Sequence, residues 1–164
     1  MKTYAGIGAR STPDNVLKQM TKIAIYLNRL GWTLRSGGAT GADNAFEAGA
    51  GENKEIYLPW PGYNGKRSAY SRPSTEALLM ASSYHPNWHA CSQGVRKLHA
   101  RNCHIVLGPL LDDPVDMIIC WTPGGLRGKG TGQALRMTKD YPQIAVYDLA
   151  VPETIEILRK KLIR

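Results

Sequence analysis

The sequence predicts an open, doubly wound α/β domain with a mostly parallel sheet and helices on both faces. Three observations predict it. Short apolar runs alternate along the chain with stretches of helical periodicity. Those runs are close to continuously apolar, as strands covered on both faces must be. Three of them pass into glycine-rich turns that open a helix. With 164 residues, 43% apolar and 21% charged, the chain is expected to form one domain over 1–164. A domain of this size buries roughly 70% of its unfolded surface, so it needs no disulfide or metal to fold.

The first strand is expected over Lys2–Ile7, running into Gly6, Gly8 and Arg10. A helix follows, with Ser11 or Thr12 as cap, Pro13 at its first position and Asp14 near its positive end. Val16, Met20, Ile23, Leu27 and Leu30 then form one apolar stripe until Gly31 stops it. Trp32–Arg35 is a second strand, followed by Ser36-Gly37-Gly38-Ala39-Thr40-Gly41 and an alanine-rich helix over Ala42–Ala50. A third strand is predicted over Glu55–Trp60, and the stretch to Pro73, with Pro61, Gly62, Asn64 and Gly65, reads as a loop. Helices are expected over about 74–83 and 91–103, a strongly apolar strand over Val115–Trp121, and a third glycine-rich turn over Thr122–Gly132. Gln133–Lys139 reads as helix, Ile144–Leu149 as the last strand, and Pro152 opens a terminal helix carrying Ile155, Leu158 and Leu162 on one face.

In such sheets the ligand site lies beyond the carboxyl ends of the strands, where strand order reverses. The three glycine turns should therefore gather at one edge. Glycine there lets backbone approach a ligand, and the helix starts present free N–H groups and a partial positive charge, a setting for phosphate. None of the turns carries the P-loop ending Gly-Lys-Ser/Thr, and Gly6-Ile7-Gly8 lacks the third glycine of the dinucleotide fingerprint, since position 11 is Ser11. ATP hydrolysis and ordinary NAD-dependent hydride transfer are disfavoured. A formal net charge of +8 favours an anionic partner, and the excess is concentrated from Ile56 to Leu111, where Lys66, Arg67, Arg72, Arg96, Lys97 and Arg101 face only Glu76.

The motifs Gly6-Ile7-Gly8-Ala9-Arg10 and Ser36-Gly37-Gly38-Ala39-Thr40-Gly41-Ala42-Asp43 resemble the paired glycine motifs of the DprA/Smf DNA-processing proteins. Pro123-Gly124-Gly125 with Gly130-Thr131 resembles the signature of the LOG nucleotide phosphoribohydrolases. Both belong to the SLOG superfamily of Rossmann-like nucleotide-ligand domains, and the chain resembles a small, phage-type member from Gly6 to about Leu149. The resemblance implies a small phosphorylated nucleotide-type ligand, an ADP-ribose-derived or cyclic-nucleotide signal among the options. It implies two alternatives as well: cleavage of a nucleotide N-glycosidic bond, or binding of single-stranded DNA. It also implies a homodimer and a place in the bacterial cytoplasm, the host's if the chain is phage-encoded. Where the LOG enzymes carry a catalytic Glu this sequence has Ala134, whereas Arg101 occupies the place of their helix arginine.

The expected ligand contacts are Gly8, Ala9 and Arg10 in the first turn, and Ser36, Gly37, Gly38, Thr40, Gly41 and Asp43 in the second. Trp60 and Asn64 come from the loop after the third strand, Arg101 and Asn102 from the basic segment. In the third turn they are Pro123, Gly124, Gly125, Arg127, Lys129, Gly130 and Thr131, with the two cations placed to clamp a diphosphate. Arg101 and His99 are the candidate catalytic residues. Trp60 or Tyr63 offers a face on which a base can stack, against the simpler role of a hydrophobic plug. Asp43 fits a ribose contact less well than a role at its own helix start.

The six residues His85, His89, Cys91, His99, Cys103 and His104 crowd into one stretch. His85/His89 and His99/Cys103 have the spacing by which one helix presents two ligands. Pro86 interrupts the first pair and no Cys-x-x-Cys is present, so neither a metal nor a cofactor is expected. Three cysteines suit a reducing compartment, and no apolar run or leader pattern points to a membrane or to secretion.

Overall fold

The computed structural model describes residues 1–125 and 132–163. Five strands, β1 (Thr3–Gly6), β2 (Thr33–Ser36), β3 (Lys54–Ile56), β4 (Met117–Cys120) and β5 (Ala145–Asp148), form one sheet in the order β3-β2-β1-β4-β5. Every pairing is parallel, with Ala5 opposite both Arg35 and Ile118. The strand order reverses between β1 and β4, which opens a crevice at their carboxyl ends.

Alternation along the strands sorts the core into two layers. Tyr4, Leu34, Met117 and Ile119 pack under the helices α1 (Asp14–Arg29), α2 (Ala42–Gly49) and α6 (Thr154–Leu162), which supply Met20, Leu27, Phe46 and Leu158. Ala5, Ile118 and Cys120 pack under α3 (Thr75–Tyr84), α4 (Gln93–Leu107) and α5 (Gly132–Met137), with Ala81, Cys103, Val106 and Leu135. Among the described residues no helix is long and apolar enough to cross a membrane.

The element boundaries differ from expectation where side chains found other partners. Pro13 is the residue before α1, with extended backbone, rather than its first helical residue, and Thr12 Oγ1 donates to Ala9 O at 2.6 Å instead of capping the helix. Strand β3 stops at Ile56 because it is the sheet edge. Beyond it Tyr57 N–H donates to Ser36 O and Leu58 N–H to Tyr70 O, each at 2.9 Å, and Pro59 ends further pairing. Helix α4 runs on to Leu107, capped by the Ser92 hydroxyl accepting from Val95 N–H. Helix α5 tightens into a 3-10 turn at Thr138–Asp140, and α6 begins after Glu153 rather than at Pro152.

Candidate functional site

A cavity of about 270 Å³ lies at the carboxyl ends of β1 and β2, under the face of α4. Of the expected residues, Gly8, Arg10, Asp43, His99, Arg101 and Asn102 line it, together with Tyr63, Ala39, Ile7 and the α4 residues Val95, Leu98 and Ile105. The first turn supplies Gly8, where an added Cβ would lie 2.5 Å from Ala42 Cβ, so only glycine lets the turn pack on the start of α2. Arg10 is exposed beside it.

Arg101 is the most constrained side chain of the site. It is 6% exposed, donates through Nη1 to Gly37 O and to Tyr57 O (3.4 Å), and through Nε to Asn102 Oδ1 at 2.9 Å. Its guanidinium lies 5.7 Å from the Tyr63 ring centre. An added Cβ at Gly37 would stand 2.7 Å from Arg101 Cζ and 2.9 Å from Asp43 Oδ2, so this glycine exists to let the guanidinium in. Burial pulls the Arg101 pKa down, opposed by the nearby Asp43 carboxylate. Burial likewise pushes Asp43 up, opposed by Arg101 and by the Ala39 N–H, which donates to Asp43 Oδ2 at 3.1 Å. Asp43 thus closes the second glycine turn onto its own helix and faces the cavity at the same time.

His99 is partly buried, and its Nδ1 has no hydrogen-bond partner. Burial, then the neighbouring His85, Arg136 and Arg101, push its pKa down to about 4. It is a neutral imidazole at pH 7, able to accept a proton or to offer a lone pair, but not poised to donate one as an imidazolium.

The remaining expected residues sit around the cavity rather than in its wall. Ala9 is buried and its N–H donates to Trp121 O at 3.3 Å. Ser36 Oγ donates to Gly6 O at 2.6 Å, a strut between β2 and β1. Gly37, Gly38, Thr40 and Gly41 form the second turn, with Gly38 and Gly41 at positive φ. Asn64 reaches back to this turn, donating to Gly38 O at 3.0 Å and to Thr40 Oγ1 at 3.5 Å. Trp60 meets Tyr63 edge to face at 5.3 Å and stays outside the wall, so Tyr63 is the aromatic ring that faces the cavity. Pro123, Gly124 and Gly125 form a 3-10 turn after β4, away from the lining, while Thr122 bonds Asp148 on β5. Arg127, Lys129, Gly130 and Thr131 lie outside the described residues.

Several wall residues were not foreseen. Val95, Leu98 and Ile105 share one face of α4 with the expected Asn102 at three- and four-residue spacing, a stripe that the sequence carries but that does not reveal which way it faces. Ala134 lines the cavity at the position where the LOG resemblance implies a catalytic Glu. Among the described wall residues Asp43 is the one carboxylate, and it is already engaged.

The fold is that of a Rossmann-like, doubly wound α/β domain with its cavity at the carboxyl ends of β1 and β2. One solved structure that shares it is described as revealing the unique single-stranded DNA binding mode of DNA processing protein A from Helicobacter pylori. It superposes at a TM-score of 0.58 with 18% identity, over 98% of this chain and 73% of that one. No protein-family model matches the chain, and no curated protein does either.

Proposed function

We propose that the protein binds a small phosphorylated nucleotide in the cavity at the carboxyl ends of β1 and β2, holding it without cleaving it. The observation that carries this reading is the convergence of the Gly8 turn, Arg10, Asn102, Arg101 and Tyr63 on one cavity of about 270 Å³. Ligand pockets typically span roughly 300–1,000 Å³, so this one suits a single nucleotide unit better than a dinucleotide. Arg10 meets the phosphate as an exposed cation, Arg101 supplies a buried positive field, and Tyr63 offers its ring to the base. The lack of a free carboxylate in the described wall favours retention over N-glycosidic cleavage. The resemblance to SLOG domains supports a nucleotide-type ligand.

A second reading, binding of single-stranded DNA, is favoured by the net charge of +8 and by what the Helicobacter pylori neighbour is described as binding. One experiment separates the two. Thermal midpoints are measured against nucleoside monophosphates, cyclic nucleotides, ADP-ribose derivatives and oligo-dT at two salt concentrations. A small ligand at 100 times its Kd adds about 2.7 kcal/mol. A selective shift with one nucleotide, lost in Arg10→Ala, upholds the cavity reading. A shift with oligo-dT alone, collapsing as salt rises through counterion release, replaces it with the DNA reading.

A further inference from the structure

The basic segment folds so that His85, at the end of α3, Cys91, in the α3–α4 connection, and His99, on α4, come together. One ligand atom from each lies within 4.8 Å of the others. This is neither of the pairs that helical spacing suggests: Pro86 turns the chain out of α3, and the connection folds back to place Cys91 beside His85. We propose that His85, Cys91 and His99 form a binding site for a zinc-class divalent metal ion, with a fourth position left for water or an external ligand.

The donor set is the one such an ion selects. Imidazole nitrogen and thiolate sulfur are the preferred ligands of zinc, and three protein ligands plus one open position is its usual arrangement outside purely structural sites. Tetrahedral bonds of about 2.0–2.1 Å to nitrogen and 2.3 Å to sulfur require donors roughly 3.3–3.6 Å apart. Cys91 Sγ stands 3.8 Å from both ring nitrogens of His85, and the His85 and His99 ring centres are 4.4 Å apart. A contraction of a few tenths of an ångström brings the first pair to bonding geometry.

One feature of the cluster makes sense as a metal site and not as simple packing. His99 Nδ1 is buried without a partner, a cost that coordination would remove if this nitrogen binds, or that reorientation would relieve if the other does. His85 Nδ1 accepts from Asn87 N–H at 3.0 Å, so coordination through that nitrogen exchanges one partner for a stronger one. Arg136 is the cation acting on both rings, and its guanidinium is engaged by Tyr84 O and Gln133 Oε1, each at 2.9 Å. The Cys91 thiolate formed on binding offsets one of the two charges that the ion brings. Because His99 also lines the cavity, the metal would abut it, but metal binding itself does not depend on any nucleotide being bound there.

The test uses chelator-treated full-length protein titrated with Co²⁺ and then Zn²⁺. Expected are one ion per chain, a sulfur-to-cobalt charge-transfer band with tetrahedral visible bands, and displacement of both by Zn²⁺. Cys91→Ser should abolish the charge-transfer band, and His99→Gln should weaken binding at least tenfold. His89→Gln, an exposed neighbour outside the cluster, should change neither. Circular dichroism of each variant shows whether it is folded; should His99→Gln fail to fold, His85→Gln takes its place. Substoichiometric uptake, or a spectrum unchanged in folded Cys91→Ser, overturns the site.

Discussion

Two arginines are buried against the same face of the sheet, and they are held in opposite ways. Arg35 on β2 is 1% exposed and saturated with charge: Nε donates to Glu55 Oε1 at 3.1 Å, Nη2 to Asp113 Oδ2 and Nη1 to Asp113 O, both at 2.6 Å. Arg101 is nearly as buried, yet it donates to carbonyl and amide oxygens, and among the described residues it makes no ion pair within 4.0 Å. Their pKa directions follow. Arg35 is raised, its carboxylates and hydrogen bonds together outweighing desolvation, whereas desolvation wins at Arg101. A buried cation without its own carboxylate is a poor way to stabilise a fold and a good way to attract an anion. The difference separates a structural clamp at the Gly108 end of α4 from the group proposed to attract the anion at its cavity end.

The strongest way to break this contrast is to remove the clamp. Arg35→Met should cost about 3 kcal/mol, because Glu55 is left charged in a site where it is 16% exposed. Urea denaturation reads the loss directly, and nucleotide affinity of the remaining folded protein should be unchanged. A loss below about 1 kcal/mol would mean that the ion pairs of Arg35 are no more than compensated desolvation.

Arg101→Met should invert the pattern. Gly37 O and Tyr57 O lose their donor, costing about 1–2 kcal/mol in stability, while nucleotide binding measured by calorimetry falls at least tenfold. Equal affinity in the variant would reduce Arg101 to a strut between α4 and the second turn.

How much of this was readable beforehand divides along the same line. Strand–turn–helix repetition, glycine turns and apolar stripes are local, so all five strands and the parallel, two-layered architecture were legible from Tyr4 to Leu158. Arg101 was found through a resemblance, and Arg10 through its place beside a glycine turn. Arg35 was not singled out, because its partners lie 20 and 78 residues away and no local pattern announces them. The grouping of His85 with Cys91 and His99 was hidden for a similar reason: helical spacing pairs residues on one helix, and this cluster is made by a connection folding back.

Acid should expose the third contrast, between neutral histidines and the cations around them. The folded pKa of His99 lies near 4, below the ordinary 6.5, so its proton is bound more readily by the unfolded chain. Stability from this group is present above pH 6.5 and is lost as pH falls from 6.5 towards 4. The gap sets a ceiling of roughly 3 kcal/mol, and partial solvent access reduces the expected loss to about 1 kcal/mol. His85 and His104 are also lowered and add to the acid limb. Denaturation at pH 7 and pH 4.5, with chelator present, should show a smaller difference for His99→Gln than for the parent. Identical pH slopes would place the titration elsewhere.

The smallest effect sharpens the comparison at the mouth of the second turn. Lys66 covers Gly38, the side where an anion would be expected to gain a cation, but its Nζ is bound to Glu47 Oε1 at 3.0 Å, and Lys54 holds the other oxygen at 3.0 Å. Both lysines hold the Glu47 carboxyl below its ordinary pKa despite its partial burial. As a largely surface network it should contribute only about 0.5 kcal/mol, so Glu47→Gln should shift the thermal midpoint little. It releases Lys66, however, beside a turn that otherwise depends on Arg10 and Arg101. Nucleotide affinity should then rise two- to threefold at low salt, with the gain fading as salt screens the freed charge. An affinity that does not move would show that the second turn contributes shape to the cavity and no field, leaving the first turn and Arg101 as the groups that draw the phosphate.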